Sequence, residues 1–307
     1  MTRAHTSSFR PAVFMAYFMI YVVWGSTFFF INRAVIELPP YLLGALRFSI
    51  AGLIMLSVAA YTGERVMKRQ LICHSAVCGM LLLFADMVAI MLALRYISSS
   101  LVAVLAASSL IWITLLDVPM WKTNFRSVRV LTGVAGGMGG VLLLYWGHLV
   151  EYGVHASTGV LIFLCGTLSW SLGTLYSKYR ASRCEAVNAL SGTAWQMLAA
   201  SAAFWCYSLY LNEPASVAWE SITPGAWGAL AYLIVFGSLL AYTSYVWLLK
   251  IRPATEVGTH AYANPFIAIL LGSCLGNEHI SLSQWLGLAV ILISLFLVEH
   301  HRTPNRA

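Results

Sequence analysis

Ala12-Val-Phe-Met-Ala-Tyr-Phe-Met-Ile-Tyr-Val-Val-Trp-Gly-Ser-Thr-Phe-Phe-Phe-Ile-Asn32 carries no charge from end to end. A helix needs roughly 20 mostly apolar residues to cross a bilayer, and this run supplies them. A short basic stretch precedes it (Arg3, Arg10) and no small-residue cleavage site closes it, so it reads as a retained first span rather than a signal peptide. Working outward, comparable runs fall at 41–61, 71–94, 98–118, 128–147, 157–177, 188–210, 225–249, 255–276 and 281–299. Turn and charge signals separate them: Pro39-Pro40, Gly63-Glu64-Arg65, Arg95, Lys122 to Arg129, Arg180 to Glu185, Glu213-Pro214, Arg252-Pro253 and Asn277-Glu278. The expectation is an all-α polytopic membrane protein of ten transmembrane helices. The connections are too short for a soluble domain, and Glu213 to Glu220 is expected to be reachable from outside.

Composition agrees. Of 307 residues, 60% are apolar and 9% charged, against roughly 25% charged in a soluble chain. The mean hydropathy is +0.79. These figures exclude a disordered chain, a cytosolic enzyme and a nucleic-acid binder, despite a net charge of +7. In a membrane chain such an excess marks cytoplasmic loops. With the N-terminus inside, fifteen of the 18 lysines and arginines fall in inside segments. Arg33 and Arg95 fall outside, and Arg47 lies within the second span. Both termini are therefore expected in the cytoplasm, with the chain in the cell inner membrane. The six cysteines (Cys73, Cys78, Cys165, Cys184, Cys206, Cys274) show no paired spacing, so neither a disulfide framework nor a metal site follows.

The two halves resemble each other weakly. Trp24-Gly-Ser-Thr has a counterpart in Trp170-Ser-Leu-Gly, Leu94-Arg95-Tyr96 in Leu249-Lys250-Ile251, and Gly133 in Gly287. Five spans per copy is odd, so the second copy enters from the opposite side. That is the inverted repeat of many secondary transporters, whose substrate site lies between halves near the midplane. The expected division is a cytoplasmic tail 1–11, a first repeat 12–147, a second repeat 157–299 and a cytoplasmic tail 300–307.

Several stretches together carry a more specific likeness. They are W-G-S-T-F-F-F-I-N from Trp24, L-P-P-Y-L-L-G-A-L-R-F through Arg47-Phe48, and A-L-R-Y-I-S-S-S-L-V-A-V-L from Ala93. A-N-P-F-I-A-I-L-L-G from Ala263 and N-E-H-I-S-L-S-Q-W-L-G from Asn277 complete the set. In this order the chain resembles the EamA-type permeases of the drug/metabolite transporter superfamily over essentially its whole length. The resemblance implies two inverted five-helix repeats, and export or uptake of small metabolites. Two departures are Leu110, where the second repeat has Pro265, and Asp86, where a neutral residue is expected.

Charged groups at membrane depth are rare and usually functional. Asp86 stands about fifteen residues into the third span. It reads either as a neutral carboxyl bonded to a neighbouring helix or as a group that is charged only when a cavity wets, carrying a proton or meeting a substrate amine. Arg47 is about two turns below the outer face, where a long side chain can snorkel. The resemblance places it in the family's R-F motif, with packing, orientation or substrate contact as its roles. Glu256, His260 and Asn264 share one helix face. Glu256 reads as a first-turn carboxylate, while His260, Tyr262 and Asn264 surround the kink that Pro265 imposes. Trp24, Trp112 and Trp170 lie away from span ends, unlike interfacial Trp121, Trp146 and Trp219. With Ser26, Ser108, Thr174 and Tyr242 they suggest an aromatic-lined cavity; helix packing is the bland alternative for each. Gly133, Gly136, Gly137, Gly139 and Gly140 give overlapping G-x-x-x-G steps, for packing within a monomer or for a homodimer.

The leading expectation is a secondary transporter that exports amino acids or related amphipathic solutes by alternating access, with protons as a candidate coupling ion. No catalytic residue, metal or cofactor is expected, and the only other partners are the substrate and the lipid bilayer. No Walker motif supports an ATP-driven pump. A membrane-embedded enzyme or a channel-like facilitator is the alternative.

Overall fold

The computed structural model describes residues 9–93, 95–97, 102, 105–144, 156–180, 189–264, 267 and 282–300. Among these it is all-helical. The helices are α1 (Pro11–Val35), α2 (Pro40–Tyr61) and α3 (Arg69–Ala93), then α4 (Ser108–Leu116), α5 (Trp121–Asn124), α6 (Val128–Leu144) and α7 (Ala156–Tyr179). There follow α8 (Ala189–Tyr210), α9 (Glu213–Ser216), α10 (Pro224–Ile251), α11 (Ala254–Val257) and α12 (Leu282–His300). Five stretches are long and apolar enough to cross a membrane: α1, α2, α3, Thr158–Tyr179 of α7, and α10. α8 is 22 residues long and carries Ser191, Thr193, Gln196, Ser201 and Ser208 along its length. The predicted fourth span is seen as α4, and the ninth only as α11 and residues 260–264. Pro265 and its expected kink, residues 98–101, the 147–155 connection and the tails 1–8 and 301–307 lie outside the described residues.

Helix boundaries follow local chemistry. Pro39 precedes α2 and Pro40 opens it, a position where the missing N–H costs nothing. At the other end Gly63 takes φ +79°; its N–H bonds to Ala60 O while Glu64 N–H bonds to Ala59 O, a Schellman closure. Thr223 caps α10, its Oγ1 accepting from Ala226 N at 3.3 Å. Three helices contain wider i→i+5 turns that periodicity did not foretell: Met19–Val23 in α1, Met80–Ala85 in α3 and Leu233–Tyr242 in α10.

The chain forms two compact units, each drawing on both halves of the sequence. The first comprises Met1–Phe84 with Tyr176–Arg252, the second Ala85–Leu175 with Pro253–Ala307. In the first, α8 runs along α2 and α3. Gly79 lies against the backbone of Gln196 and Gly52 against Leu198, while Phe48 and Phe84 both pack on Phe204. Its loops are tied to helix ends by carboxylates, which satisfy N–H groups that have no partner within their own helix. Glu213 accepts from Leu42 N at 2.7 Å, Tyr41 N at 3.4 Å and Ser208 Oγ at 2.8 Å. Glu64 accepts from Ser191 N at 3.3 Å, and Glu37 accepts from Thr223 N at 2.6 Å and Thr223 Oγ1 at 2.7 Å. Lys178 serves the opposite pole, donating to Leu249 O and Arg252 O at the end of α10. Glu213, expected on an accessible loop, is thus buried; Glu220 is exposed.

The second unit is packed helix to helix through small residues. α6 lies along α12, with Gly136 against Ser294 and Gly140 against Ile291 and the backbone of Gly287. Gly137 lies under the ring of Tyr262, whose hydroxyl donates to Val134 O at 2.9 Å. Gly159 receives Tyr96 and Ile97, and Gly258 receives Leu110 and Ile113. Gly136, Gly137 and Gly140 are therefore consumed inside the chain, whereas Gly139 faces open space.

Candidate functional site

The candidate residues divide between the two units. In the first, Trp24 follows immediately on the Met19–Val23 turn, where its own N–H reaches back to Met19 O. Its indole Nε1–H donates to Gly237 O at 3.1 Å, within the wide turns of α10. Its ring lies 5.2 Å from Tyr245 and 6.3 Å from Tyr242. Tyr242 closes the wide stretch and donates its hydroxyl to Gln196 Oε1 at 2.6 Å. Ser26 donates to Val23 O at 2.6 Å, so its single proton is spent and it accepts from Tyr232 OH at 2.7 Å. Tyr232 in turn stacks on Phe30 and Phe236. Arg47 is directed inward: its Nε–H donates to Ser238 Oγ at 2.7 Å, and the guanidinium lies 5.0 Å from the Phe48 ring centre.

In the second unit Asp86 follows directly on the Met80–Ala85 turn and is half-buried. Its carboxyl makes no hydrogen bond among the described residues. Gly166 of α7 packs closely here: an added Cβ would lie 2.5 Å from Ala89 Cβ and 3.6 Å from Asp86 Oδ1. Trp170 and His260 rings lie 6.1 Å apart, and His260 Nδ1 is 2.9 Å from Val257 O. Ser108 Oγ and Thr167 Oγ1 share a bond of 3.0 Å; Ser171 donates to Ser109 O and Thr167 O. Thr174 donates to Trp170 O at 2.8 Å, a back-bond that occupies its proton. The indole Nε1–H of Trp112 is buried and has no acceptor among the described residues. Glu256 stands in the first turn of α11, as its position after Thr255 suggests, and is buried. Asn264 is half-buried, and Tyr262 is engaged with Val134 and Gly137 rather than open.

Trp24, Asp86 and Tyr242 each sit at the C-terminal edge of a wide turn, a feature common at functional positions in helices. Gln196, Tyr245, Tyr232 and Ser238 were missed from sequence. Gln196 had a visible signal, a lone amide in an otherwise apolar stretch of the seventh run; the others look like ordinary membrane residues until the wide turns bring them round.

The sequence model of the EamA-like transporter family matches twice, over residues 11–146 and 157–299. The chain belongs to the EamA-like transporter family. Among relatives of this EamA-like protein is YedA, an uncharacterized inner membrane transporter of Escherichia coli strain K12. It is 30% identical over 289 residues, covering 93% of this chain and 90% of the relative. An uncharacterized transporter of Synechocystis is 25% identical, over 91% of this chain and 87% of its own length. A crystal structure of 20% identity superposes with a TM-score of 0.76 over 94% of this chain and 97% of that one, which speaks to the fold. The protein is accordingly a multi-pass membrane transporter.

Proposed function

We propose that this transporter exports small organic metabolites, amino acids or related amphipathic solutes, across the inner membrane by alternating access of two inverted five-helix repeats. The observation that carries the reading is the double family match, at 11–146 and 157–299. Each stretch holds five of the apolar runs, so the copies enter from opposite sides and both termini lie on one side, which the lysine and arginine bias makes the cytoplasmic one. Each compact unit draws on both halves, with the first run and its counterpart, the sixth, falling in different units. The glycine face buried against α12 supports a monomer. The proposed substrate-binding residues are Trp24, Ser26 and Tyr242 in the first unit, and Asp86, Ser108, Trp112, Trp170, Thr174, His260 and Asn264 in the second. The hydroxyls that back-bond to their own helices shape the wall, while the rings and Asp86 meet the solute.

Asp86 is the proposed proton carrier. A charged carboxylate near the bilayer centre costs roughly 2.5–3.5 kcal/mol on insertion scales, so a wetted cavity and a closed one favour opposite protonation states. The test is saturable flux in proteoliposomes for a panel of amino acids, nucleosides and sugars, with and without an imposed pH gradient. Wild-type accumulation should follow the gradient and Asp86→Asn should not. Trp24→Ala and Trp170→Ala should each lower flux while the folded yield stays near normal. Non-saturable flux would point to a channel.

A further inference from the structure

The sequence offers snorkelling as the ordinary fate of Arg47, and the geometry is different. The side chain is only 7% exposed and reaches sideways to α10 rather than out to the interface. Gly237 and Ser238, the residues it meets, are the fourteenth and fifteenth of the 28 residues of Pro224–Ile251. A Cβ on Gly237 would lie 2.8 Å from Arg47 Nη2 and 3.1 Å from Thr27 Cγ2. Only glycine lets the guanidinium rest against the backbone of the wide turns. The cation is thus held at mid-depth of a membrane-length helix.

A guanidinium has five N–H donors and is always charged. The Nε–H is taken by Ser238 Oγ. The four on Nη1 and Nη2 find no acceptor among the described residues, and no carboxylate there pairs with the charge. A buried cation without a counter-ion is among the least favourable arrangements in an apolar medium. Its planar fork is the geometry that takes a carboxylate bidentately. The other side of Gly237 is aromatic: its carbonyl accepts the Trp24 indole, and that ring neighbours Tyr242 and Tyr245.

We infer that Arg47 is the anion-binding residue of the substrate site, taking the carboxylate of a small organic acid through Nη1 and Nη2 while Trp24 meets its apolar body. Ser238 is a positioning residue that holds Nε and so aims the fork. This deepens the proposed function and rests on it.

The experiment uses the full chain in proteoliposomes. The panel pairs amino, hydroxy and oxo acids with their amides, and adds nucleosides, sugars and glycerol phosphate. Wild type should move at least one acid with a tenfold or greater preference over its amide. Arg47→Gln should lose that preference by slowing the acid at least tenfold more than its amide, with Arg47→Lys intermediate. Ser238→Ala should raise KM for the acid several-fold with little change in maximal flux. Saturable transport confined to carboxylate-free solutes or glycerol phosphate, or equal slowing of acid and amide in Arg47→Gln, overturns the carboxylate site and leaves the transporter reading standing. No saturable flux of any solute overturns both. Where Arg47→Gln yields no monodisperse protein, the acid KM in Arg47→Lys and Ser238→Ala decides, and wild-type values in both overturn the inference.

Discussion

In the unit of Met1–Phe84 and Tyr176–Arg252, loops hold helices by their ends. Glu213, Glu64 and Glu37 each satisfy N–H groups at the start of a helix remote in sequence, and Lys178 closes the end of α10. In the unit of Ala85–Leu175 and Pro253–Ala307, helices hold each other along their lengths through glycine contacts and hydroxyl bonds. The difference follows from the surroundings. Helix ends meet water, where charge is inexpensive and dipoles are open to capping. Helix flanks meet lipid, where apolar burial gives little drive and close packing must supply it. The first unit should therefore respond to carboxylate chemistry and the second to added volume.

Within the first unit one contact is of the second kind, flank against flank, and gives the largest expected effect. Gly79 of α3 lies against the carbonyl and Cα of Gln196 in α8, and a backbone cannot swing aside as a side chain can. Gly79→Ala should remove folded protein, an overpacking cost of about 3 kcal/mol or more. Gly137→Ala in the second unit meets first the Tyr262 ring, a side chain, and should cost less, while Gly139→Ala, with open space around it, should be neutral. Melting temperatures in detergent by fluorescence-detected gel filtration test the order. A Gly79→Ala protein as stable as wild type would mean that α3 and α8 separate freely.

Glu213 comes next. Replacing it with Ala leaves the Leu42 and Tyr41 N–H groups and the Ser208 hydroxyl without their acceptor, a loss of about 2 kcal/mol. Glu213→Gln keeps one acceptor oxygen and should recover part of it. The matched change in the second unit is Ser171→Ala, which removes bonds to Ser109 O and Thr167 O. Hydrogen bonds between membrane helices average about 0.6 kcal/mol, so a small drop in melting temperature is expected. A Ser171→Ala loss equal to that of Glu213→Ala would erase the contrast between the units.

Much of the first unit's frame was legible in sequence because its signals are local. Pro39-Pro40, Gly63-Glu64 and Arg252-Pro253 mark real helix limits, and apolar runs mark α1, α2, α3 and α10. The roles of Glu213 and Glu64 were not legible, since a capping carboxylate lies far along the chain from the helix it serves. The wide turns were hidden as well: inserting one residue into a helix rotates everything after it by about 100° without changing composition. That rotation brings Gly237 and Ser238 to Trp24 and Arg47, so the residues Ser238 and Gln196 could not be assigned partners from periodicity. Asp86 is conspicuous in sequence, because a lone carboxylate in an apolar run stands out wherever the helix turns it.

The smallest effect belongs to the most exposed of the three carboxylates. The Thr223 backbone N–H, then its hydroxyl, and lastly the charge of Arg33 hold the Glu37 carboxyl below its ordinary value of 4.5. For a carboxylate lowered on folding, the stabilisation is fully present above that ordinary value and is lost as pH falls through the lower, folded one. Glu37→Gln should therefore melt slightly below wild type at neutral pH, and the gap should close in acid. Because hydrogen bonds come before the Arg33 charge, 1 M salt should leave most of the gap intact, whereas a purely Coulombic pair would be screened within about 3 Å. Thr223→Val, which keeps the backbone donor and removes the hydroxyl, should show part of the same loss. Melting curves between pH 3 and pH 8 at low and high salt decide it. A gap that vanishes in salt at neutral pH would assign the latch to Arg33, and a gap unchanged down to the lowest pH would show that the Glu37 charge contributes nothing to holding α10 at its first turn.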